Sequence, residues 1–183
     1  EMCEAAVEEV SELSNWTLTK SDFEAAYMGT CNTDKYHMIP KAEASSSIDD
    51  FQEDTSTPLQ QYDDYMTQLA LYLEPFEGYL GVDLWGRMNG MVRVPLASRA
   101  EAAQLRPAPL SSEDMEEGIM TGHLFFLSRR KFMMLYVIDN VGGEVLLTQN
   151  DGPELQEPIT IPISKGQMLI FRHDKMSYTY KTE

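Results

Sequence analysis

The sequence predicts an α+β fold in which N-terminal helices pack on an antiparallel β barrel or sandwich. Apolar residues recur at helical spacing in the first third of the chain. After residue 78, short strand-like segments alternate with turns that contain Gly and Asn. The length of 183 residues and the hydrophobic content of 43% suffice for one domain with a sizeable core.

We expect residues 1–183 to form a single domain with two layers. A helical acidic layer would span residues 1–77, with a long polar loop at 30–57, and a β-rich barrel core would span residues 78–183. Residues 1–86 hold 18 acidic and 3 basic side chains, whereas residues 87–183 hold 12 and 11. This uneven charge indicates two layers of different character or an acidic flank. Because the chain starts at Glu1 and stops within a predicted strand, we expect it to be a piece of a longer polypeptide.

Three helices are predicted in the N-terminal layer. Residues 3–14 place Val7 and Val10 on an apolar face, opposite glutamates. A second helix should start at Ser21, where Ser21 and Glu24 form a capping-box pattern, and end near Gly29.

The third helix has the clearest signal. Thr57 and Gln60 form a capping box, and Pro58 suits the first helical position. One apolar stripe with a period near 3.6 contains Leu59, Tyr62, Met66, Leu69 and Leu73. Pro75 should end the helix, because the residue before a proline avoids helical angles.

The rest of the chain is predicted to be rich in strands. YLGVDLW and MVRVPL would be strands joined at Asn89-Gly90, followed by a loop at 98–110 and a short helix at 111–120. The remaining predicted strands are 122–128, 131–138, 144–148, 158–163, 167–172 and 177–180. Short strands at regular spacing favour a barrel or sandwich.

Composition excludes several classes of function. A formal net charge of -16 argues against nucleic-acid binding, which needs clustered Lys and Arg. The longest apolar run, FMMLYVI at 132–138, is far shorter than a membrane span. Cys3 and Cys31 make no disulfide framework, so an intracellular location is expected, with plastid or cytoplasm left open.

The stretch LYLEPFEGYLGVDLWGRM, residues 71–88, is the most unusual in the chain. Its Glu74 and Glu77 suggest paired carboxylates, which perform general acid–base chemistry when their pKa values are driven apart. Their spacing around Pro75 fixes no shared face, however, because the helix is expected to end there.

A structural joint is the simpler hypothesis for the same stretch. Gly78 and Gly81 would relieve a tight backbone, and Tyr79 and Trp85 would pack. The two glutamates would accept hydrogen bonds from backbone amides or pair with Arg87 or Arg93. We therefore expect no catalytic residue here, and the motif residues are Glu74, Glu77, Gly78, Tyr79, Gly81, Trp85 and Arg87.

Two segments within residues 120–180 resemble a known family. RRKFMMLYVIDNVGGEVLL and ITIPISKGQMLIFRHDKMSYTY are similar to the second half of the double-stranded β-helix of Fe(II)/2-oxoglutarate oxygenases such as prolyl hydroxylases. The resemblance implies a jelly-roll-like double-stranded β-helix barrel. In that family an HxD motif and a distant His hold iron and leave positions open for oxygen and cosubstrate.

The ligand pattern of that family is not met. His123 matches the first position of HxD, but Phe125 stands where the Asp should be, and residues 177–178 are Ser and Tyr where the distant His should be. His173 and Asp174 lie near the right strand, yet neighbours on a strand point to opposite faces. We expect a degenerate barrel without metal, in which His123, His173 and Asp174 are weak candidates. Fe(II) and 2-oxoglutarate belong to the alternative hypothesis only.

The motif EPFEGYLG points to a second family. It resembles the ExExGYLG signature of the N-terminal region of dinoflagellate-type polyketide synthases, upstream of the ketosynthase. This chain has ExxEGYLG, so the second acid matches and the first is one place out. The neighbouring GVDLWGRMNGMVRVPL and FRHDKMSY fit the same region. The ketosynthase's own catalytic Cys and His would lie in a downstream domain, so no catalytic residue is carried over.

These resemblances imply a non-catalytic accessory or docking module of a microalgal polyketide synthase. Its partners would be the downstream ketosynthase and an acyl carrier protein, with a homodimer as a further option. Two alternatives stay open: an Fe(II)/2-oxoglutarate oxygenase that acts on a polyketide chain, and a barrel that binds an acyl ligand without chemistry.

Overall fold

A computed structural model of the chain describes residues 1–29, 34–40, 56–151 and 157–182. The helices are α1 (Met2–Glu12), α2 (Ser21–Tyr27), α3 (Pro58–Leu73), α4 (Glu77–Leu80), α5 (Arg99–Leu105), α6 (Ser112–Glu116) and α7 (Ile119–Arg129). The strands are β1 (Asp34–Met38), β2 (Met91–Pro95), β3 (Phe132–Tyr136), β4 (Gly143–Gln149), β5 (Ile159–Pro162), β6 (Met168–Arg172) and β7 (Met176–Thr182). This mixture of helices and small antiparallel sheets confirms the predicted α+β class.

The chain divides into two compact units. The first unit contains Glu1–Asn15 and His37–Arg93, and the second contains Trp16–Tyr36 and Val94–Glu183. No helix in the described ranges is long and apolar enough to cross a membrane.

Helices α1 and α3 form the centre of the first unit. They pack against each other, and Ala6 of α1 and Leu59 of α3 are buried. Polar contacts also join the two helices. The backbone N–H of Leu59 donates to Oε2 of Glu9 at 2.9 Å, and Cys3 Sγ lies 3.0 Å from the hydroxyl of Tyr62. These contacts hold α3 against α1.

Strands β3 to β7 form the centre of the second unit. Strand β3 pairs with β6, and β4 pairs with both β5 and β7, always antiparallel. A shared apolar cluster joins the two sheets through Val145, Leu147, Phe171 and Tyr178. These strands form no closed barrel within the described residues, so the predicted double-stranded β-helix is not shown.

The capping box predicted at Thr57 is confirmed, whereas the one predicted at Ser21 and Glu24 is wrong, because the N-cap of α2 is Lys20 and no side chain caps that helix. Thr57 Oγ1 accepts from the N–H of Gln60 at 3.3 Å, and Gln60 Oε1 accepts from the N–H of Thr57 at 3.0 Å. The helices predicted at residues 3–14 and from Ser21 are also confirmed.

Three other predictions about local structure are wrong. Residues 122–128 belong to helix α7, which is 11 residues long, and not to a strand, because a short apolar run fits either structure. The predicted strand YLGVDLW is helical up to Leu80 and irregular after it. The predicted loop at 98–110 contains α5, whose N-cap Ser98 accepts from the N–H of Glu101.

The predicted loop at 30–57 contains strand β1. Residues 30–33 and 41–55 of that loop, and with them Cys31, lie outside the described residues.

Candidate functional site

The EPFEGYLG motif lies on a helical extension of α3. Helix α3 ends at Leu73, but a 3-10 turn over Glu74–Phe76 and then α4 continue the helical path to Leu80. The prediction that the helix ends at Pro75 is confirmed for α3, whose last residue is Leu73, but the chain stays helical beyond it. Proline is tolerated because it occupies the first turn of a new helical segment, where its missing N–H has no intrahelical acceptor. The segment ends at Gly81, whose φ of 64° and ψ of 40° are left-handed.

The two glutamates of the motif have different surroundings. Glu77 Oε1 accepts a hydrogen bond from the backbone N–H of Leu84 at 2.6 Å, which ties α4 to the irregular segment after Gly81. Glu74 is exposed at the start of the 3-10 turn. The carboxylates therefore form no pair, and the role that the structure gives Glu77 is to brace the backbone.

The two glycines of the motif also differ. Gly81 takes the left-handed conformation that only glycine adopts at little cost. Gly78 lies inside α4 with nothing within 4 Å of the position of a Cβ. The expectation that Gly78 relieves a tight backbone is therefore wrong.

Arg87 pairs with Asp63 of α3 and not with a glutamate of the motif. Its Nη2 donates to Asp63 Oδ2 at 2.5 Å, and the other carboxylate oxygen of Asp63 accepts from the N–H of Gly90 at 2.5 Å. Arg87 also donates to the backbone oxygen of Met88 and to Thr67 Oγ1. We call Asp63, Arg87 and Gly90 the clasp, because they hold residues 87–90 against α3.

Sequence analysis missed Asp63, although a signal for it exists. Asp63 lies four residues after Leu59, on the buried side of α3, and only 8% of its surface is exposed. A carboxylate on the buried side of a helix requires a partner, and this requirement points to a nearby Arg or backbone amide.

A pocket of about 440 Å³ lies beside the clasp. Its lining is Pro40, Gln60, Asp63, Asp64, Thr67, Gly86, Arg87 and Asn89. The carboxylate of Asp63 and the guanidinium of Arg87 already bind each other and the neighbouring backbone. Asp63 and Arg87 therefore serve the structure, and because Asp64 is the exposed carboxylate of the lining, the pocket presents no free pair of carboxylates for acid–base chemistry.

The motif-bearing segment exposes large aromatic side chains to solvent. Tyr79 is 91% exposed and Trp85 is 83% exposed, so the expectation that they pack is wrong. Tyr65, Tyr72 and Phe76 of the same segment are also more than half exposed. They follow one another at spacings of seven, four and three residues, which places Tyr65, Tyr72, Phe76 and Tyr79 on one side of the helical path. We call these four residues, together with Trp85, the aromatic surface.

The weak metal candidates lie in the second unit. His173 is 2% exposed and packs edge-on against Phe171 and Tyr178, and burial lowers its pKa to about 4. Both carboxylate oxygens of Asp174 accept from the guanidinium of Arg172, at 2.8 and 2.7 Å. This ion pair lowers the pKa of Asp174.

His123 packs against aromatic side chains. Its ring is 4.1 Å from that of Phe23, centroid to centroid, and 5.7 Å from that of Tyr27. Its Nδ1 is buried and has no hydrogen-bond partner among the described residues, and burial lowers the pKa of His123. In the part of the chain that the structure describes, no three His, Cys, Asp or Glu side chains converge as metal ligands would.

Comparison with known proteins leaves the family open. No family model matches the chain, and searches of curated proteins and of solved structures found no significant match.

Proposed function

We propose that the chain is a non-catalytic docking module of a polyketide synthase, which recruits the downstream ketosynthase or a carrier protein. The observation that carries the proposal is the aromatic surface on the segment that contains the ExxEGYLG motif. Tyr79 and Trp85 are more than four-fifths exposed, although large apolar patches are uncommon on monomeric proteins and mark interaction sites. Tyr and Trp are also the residues that most often dominate binding at protein interfaces.

The internal contacts of the same segment support a binding role over a catalytic one. Glu77 is engaged by the N–H of Leu84, and Asp63 is engaged by Arg87 and Gly90. These bonds fix the backbone that presents the aromatic side chains. A rigid surface binds with a smaller entropic cost than a surface that must first be ordered.

The direct test is binding of the full chain to the ketosynthase that follows it and to a carrier protein of the same synthase. Size-exclusion co-elution and isothermal titration calorimetry would measure complex formation and its dissociation constant. We expect a complex with at least one of the two proteins. If neither protein binds at concentrations up to about 1 mM, the weak end of specific affinities, the proposal is wrong.

For the fold of the second unit, we propose that its five strands are part of a jelly-roll-like double-stranded β-helix. The first of them, β3, pairs with the fourth, and the second, β4, pairs with the third and the fifth. Nested pairing of this kind between two sheets is what Greek-key connections produce in jelly rolls. The shared cluster of Val145, Leu147, Phe171 and Tyr178 supports packing of one sheet on the other.

The described residues do not fit the Fe(II) site of the oxygenase hypothesis. The carboxylate of Asp174 is bound at both oxygens by Arg172, and the imidazole of His173 packs among aromatic rings. Metal analysis of protein incubated with Fe(II) and 2-oxoglutarate tests this argument. Stoichiometric iron that is lost in His123→Ala would restore the oxygenase hypothesis.

A further inference from the structure

We propose that the helical part of the aromatic surface, Tyr65 to Tyr79, binds in an apolar groove whose rim carries Lys and Arg side chains on a partner protein. The inference rests on the proposed docking function and specifies the chemistry of the partner. Its first support is spacing. Tyr72, Phe76 and Tyr79 recur every three or four residues, as anchor residues do in peptides that lie helix-in-groove.

The second support is the charge of the segment. Residues 57–89 contain five acidic residues and one basic residue, Arg87. Arg87 and Asp63 neutralise each other, and Glu77 is engaged by a backbone amide. The carboxylates of Asp64, Glu74 and Asp83 are left exposed. A groove with a basic rim is the complementary surface, because like charges at an interface are costly and opposite charges speed association.

The same charge argues against other occupants. A second copy of the chain would bring two acidic segments together, and the formal net charge of the chain is -16. Anionic lipids would repel the segment for the same reason. A carrier protein with an acidic surface would be disfavoured for the same reason, so we infer that the ketosynthase, the other partner of the proposed function, supplies the groove.

The chemistry of the aromatic side chains fits an interface that forms in water. Three of the five members of the aromatic surface are tyrosines, whose hydroxyl groups stay hydrated in the free protein while the rings supply contact area. Such residues are tolerated on a soluble surface and still act as binding hot spots.

The experiment titrates the full chain against the ketosynthase and compares matched variants. The double variant Tyr72→Ala/Tyr79→Ala removes two anchors that are 72% and 91% exposed, so it should fold normally. Leu71→Ala is the control, because Leu71 is 55% exposed on the same helix but one residue out of phase with the aromatic surface. We expect the double variant to bind at least about tenfold more weakly and the control to stay within about twofold.

A second comparison tests the charge. The variant Asp64→Asn/Glu74→Gln/Asp83→Asn should weaken binding several-fold at low salt, and it should reduce the loss of affinity when salt is raised from about 50 to 300 mM. If the affinity of the unmodified chain for the ketosynthase does not depend on salt, the proposal of a basic rim is wrong.

The outcomes separate this inference from the proposed function. Binding to the ketosynthase that the double variant leaves unchanged would overturn the inference and keep the docking function. Binding to the carrier protein alone, or self-association that the double variant abolishes, would overturn the partner chemistry in the same way. Absence of any complex would overturn both.

Discussion

Loss of the clasp should destabilise the first unit, and Asp63→Ala is the sharpest perturbation. Asp63 is 8% exposed and accepts two hydrogen bonds, from Arg87 and from the N–H of Gly90. Alanine would leave both donors without that acceptor. The effect is confined to the contact between α3 and residues 87–90, because the substituted side chain is not part of the aromatic surface.

The size of the effect follows from the burial of the pair. Breaking a fully buried ion pair by removing one partner costs about 3–5 kcal/mol. Here the side chains of Arg87 and Asp63 are 20% and 10% exposed. In the Asp63→Ala variant, Arg87 would still have Thr67 and the backbone oxygen of Met88 as acceptors. We therefore expect Asp63→Ala to lower the free energy of unfolding by about 2–3 kcal/mol.

A double-mutant cycle isolates the interaction. Arg87→Met should cost about 1–2 kcal/mol, because it removes the charge and keeps most of the aliphatic stem. The double variant should cost less than the sum of the single variants, with a coupling energy of about 1–2 kcal/mol. Asp63→Asn is the conservative comparison, since it retains an oxygen that can accept from the N–H of Gly90.

Urea unfolding followed by far-ultraviolet circular dichroism gives the free energies, and hydrogen exchange at the amide of Gly90 gives the local effect. We expect faster exchange at Gly90 in Asp63→Ala than in Asp63→Asn. A loss of less than about 0.5 kcal/mol with unchanged exchange at Gly90 would refute the clasp.

Three further predictions concern single positions. A Cβ at Gly90 would collide with the carboxylate of Asp63 and lie 3.1 Å from Ile39 Cδ1, so Gly90→Ala should lower the free energy of unfolding by about 1–3 kcal/mol. The Cβ position of Gly78 in α4 has open space around it, so Gly78→Ala should raise the free energy of unfolding by about 0.5–1 kcal/mol in the same urea assay. Glu77→Gln should lower stability by about 1 kcal/mol through a weaker bond to the N–H of Leu84, and unchanged stability would contradict the bracing role. Burial lowers the pKa of His173 to about 4, so between about pH 6.5 and 4 the imidazole is protonated in the unfolded chain but not in the folded one. The free energy of unfolding should therefore fall by about 2–3 kcal/mol from pH 7 to 4.5, and His173→Gln should reduce this loss.

Local signals made the N-terminal helices predictable. Thr57, Pro58 and Gln60 specify a helix start through side-chain hydrogen bonds within four residues, and no distant contact is needed. The same signal exists at Ser98 and Glu101, where it marks α5, although two nearby prolines suggested a loop. Capping residues are thus better guides in this chain than proline content.

Segments without local signals could not be assigned from the sequence. The apolar run in α7 has hydrophobic residues on every side, so periodicity does not separate a helix from a buried strand. The exposure of Tyr79 and Trp85 was equally undetermined, since aromatic residues are usually buried and no local pattern marks these two as exposed.

The candidate site was predictable in position but not in chemistry. The motif drew attention to Glu74 and Glu77 because two carboxylates close in sequence suggest a catalytic pair. In the structure the buried carboxylate that accepts two hydrogen bonds is that of Asp63, eleven residues before Glu74. Its partners Arg87 and Gly90 lie more than twenty residues after Asp63 in the sequence. Such a contact depends on how a loop returns to a helix, which no local pattern specifies.

The clasp and Glu77 together position the segment that carries Trp85 of the aromatic surface. Trp85 lies in the irregular segment between the bond from Leu84 to Glu77 and the bond from Gly90 to Asp63, so both ends of that segment are held by buried or half-buried carboxylates. Tyr72 and Tyr79 instead lie on helical backbone that needs no such support. Acidic residues here fix an irregular loop against a helix, and they thereby hold Trp85 of the loop in place relative to the aromatic side chains of the helix. This explains why a segment with several carboxylates and conspicuous glycines need not be a centre of chemistry: the carboxylates act on the backbone, and the surface they order is the part available to a partner.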